Sequence, residues 1–323
     1  MKRPVFFAGS AALVLALLFS SCSVNKMAIK AVSNALTGEG SGEVFTGDPD
    51  PELVGDALPF AIKLYETLLS NNPDHQGLIL TTGSLFIMYA NAFVQGPAEM
   101  LSQDQFFERE TALERAKKLY LRGANLISTG LEKKYPGFGG AHKAGTLDQF
   151  LAKTTKEDVP CLYWTTAGTL AAYSLNPFDL DLGMRLSELT ALIGRAYELD
   201  PDFNNGALDD FYILFYASLP EGMGGDKSKA EMHYKRALEK SKGLLAGPYV
   251  SYAAAVAVPA QDYETFKACL EAALAVDADK DPANRLVNIL AQRKARYLLD
   301  SAPDFFADLD SGDDWQQNTF EKE

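Results

Sequence analysis

The sequence predicts an all-α body, a stack of helical repeats with further helices inserted between the early ones. Apolar residues recur at helix spacing along most of the chain, and no alternating apolar and polar run bounded by hairpin turns argues for strands. A small residue, then an aromatic or apolar one, then a small or apolar one recurs at helical spacing in five places in order, as in the second helix of a tetratricopeptide (TPR) unit.

The chain opens on a segment to be set aside from the fold. Lys2 and Arg3 precede an apolar run from Val5 to Phe19, and the small residues Ser20 and Ser21 precede Cys22. That is the three-part pattern of an export signal, residues 1–21. The run is shorter than the roughly 20 residues a membrane-spanning helix needs, which favours cleavage over a permanent span. A cysteine after small residues turns cleavage into lipidation, although Phe19 stands where such signals usually carry leucine. Cys22 is therefore the expected lipidation site, anchoring the body to a membrane on the periplasmic side. The alternatives are an uncleaved signal anchor, or a secreted protein in which Cys22 belongs to the discarded peptide. Both also leave the body outside the cytoplasm.

Residues 22–50 read as a tether with one helical stretch around Met27 to Leu36, ended by Gly38-Glu39-Gly40-Ser41-Gly42. Pro49 and Pro51 stiffen its end, and the helical domain spans 51–300. Helix starts are expected at Asp56, with Pro59 in the first turn, at Ser228, with Glu231 completing a capping box, and at Asp281, followed by Pro282. Residues 301–323 form an acidic tail carrying Asp304, Asp308, Asp310, Asp313 and Asp314.

The repeats are Ala61, Tyr65, Leu68 and Pro73; Ala124, Ser128, Leu131 and Pro136; and Leu189, Ile193, Ala196 and Pro201. Two later copies lack the proline: Ala230, Tyr234 and Ala237, then Phe266, Leu270 and Ala273. The early copies are spaced more widely than the roughly 34 residues of a plain TPR array, so extra helices must lie between them. Any helix packed on helices can show one such pattern; the ordered series favours a repeat whose curvature leaves a concave surface or an enclosed channel.

Composition narrows the function. A hydrophobic fraction of 47% excludes a mainly disordered chain, and a net charge of −13 opposes binding to a phosphate backbone, so nucleic acid is not an expected partner. The three histidines, His75, His142 and His233, do not stand at metal-ligand spacing. The glycine-rich segments Gly137-Phe138-Gly139-Gly140 and Gly222-Met223-Gly224-Gly225-Asp226-Lys227 lack the full spacing of a dinucleotide or phosphate loop, and Asp226 sets negative charge at the phosphate seat. Asp209-Asp210 cannot be told from a helix start, and no nucleophile and base stand together in a known pattern, so neither catalysis nor a cofactor is expected. Cys161 and Cys269, in apolar helical stretches, read as inert buried thiols.

Binding is more legible. The run from Leu85 to Gln95 is apolar nearly all round, which makes it a central helix, yet it carries Asn91 and Gln95 one turn apart. The stretches Tyr163 to Thr169 and Asp209 to Tyr216 likewise mix aromatic rings with polar groups. Such residues either pin helices together or line a wet cavity. In the second case Tyr89, Asn91, Phe93, Gln95, Trp164 and Tyr212 are the candidate ligand path.

Two runs carry a family resemblance. Gly47-Asp48-Pro49-Asp50-Pro51-Glu52-Leu53-Val54-Gly55-Asp56-Ala57-Leu58-Pro59-Phe60 and Tyr89-Ala90-Asn91-Ala92-Phe93-Val94-Gln95-Gly96-Pro97-Ala98-Glu99-Met100 resemble the TatT family, supported by Tyr163-Trp164, Gly247-Pro248-Tyr249-Val250-Ser251 and the run from Asn284 to Arg293. These are TPR-containing lipoproteins associated with tripartite ATP-independent periplasmic (TRAP) transporters, best known from spirochetes. The resemblance, from about Phe45 to Leu299, implies a TPR-like fold, a homotrimer, and a pore or cavity through each subunit. It also implies docking of a periplasmic substrate-binding subunit and passage of a small ligand, hydrophobic or an organic acid, to a permease. The rival readings are a TPR scaffold lipoprotein for envelope or outer-membrane protein assembly, which would grip an extended peptide, and an envelope hydrolase, which would need a nucleophile and base brought together by folding.

Overall fold

The computed structural model describes residues 29–307 except 39, 220, 221 and 223, together with residue 309. Cys22, the export signal, and Asp308, Asp310, Asp313 and Asp314 of the acidic tail lie outside the described residues, whereas Ala302–Phe305 is a short helix with Ala302 buried. All the described secondary structure is helical, with no strand among those residues. Residues 29–36, within the expected tether helix, are helical. The longer helices of the first half are α1 (Pro51–Asn71), α2 (Gln76–Ala90), α3 (Phe106–Lys134), α4 (Val159–Ser174) and α5 (Leu186–Leu199). Those of the second half are α6 (Ala207–Ser218), α7 (Lys227–Lys240), α8 (Gly247–Tyr252), α9 (Tyr263–Ala275) and α10 (Arg285–Asp300). Two π-helical segments, Asn91–Gln95 and Ala253–Ala257, extend α2 and α8.

Two expected helix starts are corrected. Asp50, not Asp56, caps α1: its carboxylate accepts from Leu53 N at 3.0 Å, with Pro51 in the first turn. Asp50-Pro51 supplies cap and proline earlier in the chain, so Pro59 falls inside the helix, where the carbonyl its ring crowds is that of the small residue Gly55. Asp226, not Ser228, caps α7, accepting from Lys229 N at 3.0 Å. Aspartate at the N-cap satisfies an orphan donor and adds charge favoured by the helix dipole. Asp281 does precede a helical segment, the short 3-10 turn Pro282–Asn284 that leads into α10.

Most of the periodic residues are core residues, whereas Leu68, Ser128 and Tyr234 are only half-buried. Ala61, Tyr65, Ala124, Leu131, Leu189, Ile193, Ala196, Ala230, Ala237, Phe266, Leu270 and Ala273 are all buried. α1, α3 and α5 end two residues before Pro73, Pro136 and Pro201, because a residue preceding proline is pushed out of helical conformation.

Packing runs in sequence order: α1 on α2, α2 on α3, α3 on α4, α4 on α5, α6 on α7 and α8, α8 on α9, and α9 on α10. Leu189, Leu192, Ile193, Leu208 and Tyr212 join α5 to α6 in one core cluster. Asp158, just before α4, fastens the end of α3: Lys134 Nζ donates to its Oδ1 at 2.6 Å and the Tyr135 hydroxyl to its Oδ2 at 2.8 Å. The series then closes, because α10 packs back on α1, with Leu286 and Leu290 in the cluster that holds Val54, Leu58 and Ile62. Residues 76–99 are long and apolar enough to cross a bilayer, but α2 is packed among α1, α3 and α4 as a core helix.

Candidate functional site

The two π segments share a cause. Each is followed by a proline one residue into the next short helix, Pro97 after Gly96 and Pro259 after Val258. A proline in a continuing α-helix lacks its N–H and crowds a carbonyl one turn back. Widening the preceding turn relieves this: Gly96 N donates to Asn91 O, and Val258 N to Ala253 O, both five residues back. Such segments re-aim side chains and are frequent at functional sites.

Asn91 and Gln95 sit on the first π segment and meet at Tyr120 of α3. Asn91 Nδ2 donates to the buried Tyr120 hydroxyl at 3.2 Å, and that hydroxyl donates to Gln95 Oε1 at 2.5 Å. Gln95 Nε2 donates to Glu99 at 2.6 Å, and Lys294 of α10 pairs with the other Glu99 oxygen at 2.9 Å. Desolvation pushes the Tyr120 phenol well above its ordinary range, so it stays a neutral donor. Asn91 itself is exposed.

Tyr89 and Phe93 point elsewhere. Their rings stack at 6.0 Å, Arg115 lies over Tyr89 at 5.6 Å, and the Phe93 ring lies against Gly55, where an added Cβ would come within 2.8 Å of it. Trp164 keeps company with Tyr163 at 5.2 Å, and Tyr163 with Phe203 at 5.3 Å and Phe211 at 6.5 Å. Tyr212 is buried in a three-ring cluster with His233 at 4.7 Å and Tyr216 at 5.4 Å, which lie 5.6 Å from each other. The six predicted path residues therefore fall into separate groups: Asn91 with Gln95, Tyr89 with Phe93, Trp164 in an aromatic set around Tyr163, and Tyr212 in a second stack.

Asp209 and Asp210, adjacent on α6, have opposite environments. Asp209 is fully buried and fully partnered: His233 Nδ1 lies 2.6 Å from Oδ1, the Tyr197 hydroxyl donates to Oδ1 at 3.1 Å, and Lys240 Nζ to Oδ2 at 2.7 Å. Burial pushes its carboxyl up, but these donors outweigh it and hold the group below the usual carboxylate range. Asp210 has an Oδ1 shielded from solvent with no hydrogen-bond partner. Burial drives its pKa up to about 6, with the Ser251 hydroxyl acting in the opposite sense. Tyr163 lies close enough to feel its charge. By accessible surface both residues are half-buried, unlike the fully enclosed Asp209.

Other sequence features find structural uses. The amides of Gly137 and Gly139 donate to Glu132 at 2.8 and 2.7 Å, so this small anion nest is occupied by the protein's own carboxylate. His75 caps α2, accepting from Leu78 N at 3.1 Å, and His142 lies 3.3 Å from the Ser187 hydroxyl. Cys161 and Cys269 are free thiols, and burial lifts the Cys161 pKa to about 11, which keeps it unreactive. Two open surface depressions, one beside Arg195 and one beside Lys240, contain none of the six path residues.

The runs that carried the family resemblance meet in space. Arg285 Nη1 donates to Gly47 O at 2.9 Å, and Arg293 pairs with Glu52. Asn288 is buried, accepting from Ala246 N and donating to Leu244 O, each at 2.9 Å, which seats the start of α8 on α10. Asp210, Tyr120 and Glu99 were not picked out as site residues by sequence. The available signal was the adjacent acidic pair at the start of α6, which reads as a cap until burial separates its members.

Fold and site together define an all-α body, closed by α10 on α1, whose distinctive groups are the amides joined at Tyr120, the clustered rings and the paired Asp209 beside the half-buried Asp210. A family model described as TRAP transporter T-component matches residues 47–306, and the chain belongs to that family. It is similar to an uncharacterized protein of Treponema pallidum (strain Nichols), 36% identical over 323 aligned residues that cover 95% of this chain and 100% of the relative. The protein is thus a component associated with TRAP transport.

Proposed function

We propose that this protein is a non-enzymatic, lipid-anchored periplasmic accessory of a TRAP-type transporter. Cys22 tethers the TPR-like body to a membrane, the body docks the substrate-binding subunit as a homotrimer, and its interior helps pass a small hydrophobic or organic-acid ligand toward the permease. The observation that carries this reading is family membership over residues 47–306. Two features support it. The closure of α10 on α1 favours an interior path over an open groove gripping a peptide. Exposed apolar side chains, Leu53, Phe60 and Leu64 along α1 and Phe178 with Leu180 before α5, offer faces for self-association and docking, since large exposed apolar groups mark interaction surfaces.

The test is an affinity pull-down of the tagged, full-length protein from gently solubilised envelopes, read by mass spectrometry. Recovery of a periplasmic solute-binding protein supports the reading. Recovery of outer-membrane assembly components alone replaces it with the scaffold. Joint replacement of Asn91 and Trp164 is expected to abolish retention of a co-purified ligand with folding intact, and full retention removes those residues from the path.

A further inference from the structure

The chain just ahead of the first long helix is fastened to the body. Ser33 is fully buried, and Leu36 and Phe45 pack against the core cluster of α1 and α2. The Tyr65 hydroxyl of α1 donates to Leu36 O at 2.8 Å. His75 uses both ring nitrogens: Nδ1 accepts from Leu78 N to cap α2, so Nε2 carries the hydrogen and donates to Asn34 Oδ1 at 2.8 Å. Thr37 closes against Gly77, where an added Cβ would lie 2.7 Å from its Oγ1. Residues 33–37 are thus clamped to the end of the molecule formed by the α1–α2 turn. From there the chain runs back along α1 to Gly47, whose carbonyl accepts from Arg285.

Two lengths then decide the geometry. Cys22 stands seven positions before Ile29, where the described chain begins, a reach of at most about 25 Å whatever path the chain takes. Were all of residues 22–50 free, the reach would be about 100 Å, enough for the body to turn over. α1 has 21 residues and is about 30 Å long, and α2 runs antiparallel to it after a short turn. The far end of the pair is therefore where Phe93 meets Gly55 and where the π segment brings Asn91 and Gln95 to Tyr120. We infer that the lipid on Cys22 acts as a short leash, which holds the α1–α2 turn at the bilayer surface and presents the π-helical end, with Asn91, Gln95 and Glu99, away from that membrane toward a soluble partner. This rests on the proposed lipid anchor and adds to it which end of the body faces the lipid.

The test uses the full-length protein, purified from envelopes and reconstituted into phosphatidylcholine vesicles that carry an acceptor-labelled lipid. A donor fluorophore is placed on Asp74→Cys, exposed in the α1–α2 turn, or on Gln103→Cys, exposed beyond the π segment. The natural chain treated alike sets the background from Cys161 and Cys269. Energy transfer to the lipid is expected to be strong from Asp74→Cys and near background from Gln103→Cys. A Gly/Ser insert of about twenty residues after Val24 lengthens the leash without touching the body and is expected to abolish that difference. Asn34→Ala with Tyr65→Phe, which unclamps the segment and keeps the core ring, is expected to reduce it. Equal transfer from the two positions, stronger transfer from Gln103→Cys, or a contrast that the insert or the unclamping leaves intact each overturns the inference. The readings fail separately: a protein that floats with the vesicles but shows equal transfer keeps its anchor and loses only the orientation. One that does not float loses both, and the pull-down decides the transporter role independently.

Discussion

Arg293 of the last long helix donates two guanidinium nitrogens to the carboxylate of Glu52 in the first turn of the first, at 2.5 and 3.0 Å, across 241 positions of sequence. The pair marks where the series of helices closes, but it is not what holds the closure. Both side chains are substantially exposed, and exposed ion pairs contribute little because water screens them and ordering long side chains costs entropy. Leu286, buried a few positions earlier in α10, sits in the core cluster of α1 and α2. Arg293→Ala is expected to leave the urea midpoint unchanged within error, whereas Leu286→Ala should cost about 2–5 kcal/mol, the range for a buried leucine truncation. Equal effects would mean that the seam is electrostatic.

Close backbone approach between α2 and α3 yields a second expectation. A Cβ on Gly123 would collide with the carbonyl oxygen of Gly83, and one on Gly83 would lie 2.8 Å from the carbonyl oxygen of Gly123. Backbone cannot step aside as a side chain can, so Gly123→Ala should destabilise by about 1–3 kcal/mol or more despite the better helix propensity of alanine. Gly194 of α5 is the matched control, since nothing lies within 4 Å of an added Cβ there. Gly194→Ala should therefore stabilise by roughly 0.5–1 kcal/mol in the same denaturation assay.

That contrast shows what could be read from the sequence. Helix class, the burial of Ala61, Ile193 or Phe266, and the stops ahead of Pro73, Pro136 and Pro201 follow from local periodicity and backbone sterics, and local order specifies them. The starts at Asp50 and Asp226 are not legible locally, because several capping residues stand in each window and local chemistry does not rank them. Site residues were harder still. Asn91 and Gln95 stand out as an amide pair, but Tyr120, which joins them, lies 29 and 25 positions away, and no local pattern couples such separations. Tyr212 and Tyr163 look alike in sequence, and only packing sends one into a stack with His233 and the other against Trp164, Phe203 and Phe211.

The Asp209 cluster should be acid-labile. Its folded carboxyl titrates below the usual range, so the stabilisation it contributes is complete above the unfolded value of about 3.9 and is lost as pH falls through the folded value. Asp209→Ala strands His233, Lys240 and Tyr197 and should cost about 3–5 kcal/mol at neutral pH. Urea titrations at a series of pH values should show the natural protein losing this advantage over Asp209→Ala below about pH 4. A constant difference across that range would place the stabilisation in packing alone.

Asp210 should behave in the reverse sense. Its folded pKa, raised by burial to about 6, exceeds the unfolded value, so between about pH 4 and pH 6 the folded chain keeps a proton the unfolded chain has released. The protein's stability relative to an uncharged isostere is then full below about pH 4, declines as pH rises to about 6, and is flat beyond. Asp210→Asn removes the charge and keeps the shape. It is expected to be more stable than the natural protein at pH 7.5, by up to about 3 kcal/mol, with the gap closing at pH 4. Comparing the two chains at each pH cancels the other carboxylates, Asp209 included. A less stable Asp210→Asn at pH 7.5 would mean that the Ser251 hydroxyl stabilises the carboxylate by more than burial costs it. A more stable variant would mean that burial costs the carboxylate more than the Ser251 hydroxyl returns, so that the protein carries a charge its packing does not compensate.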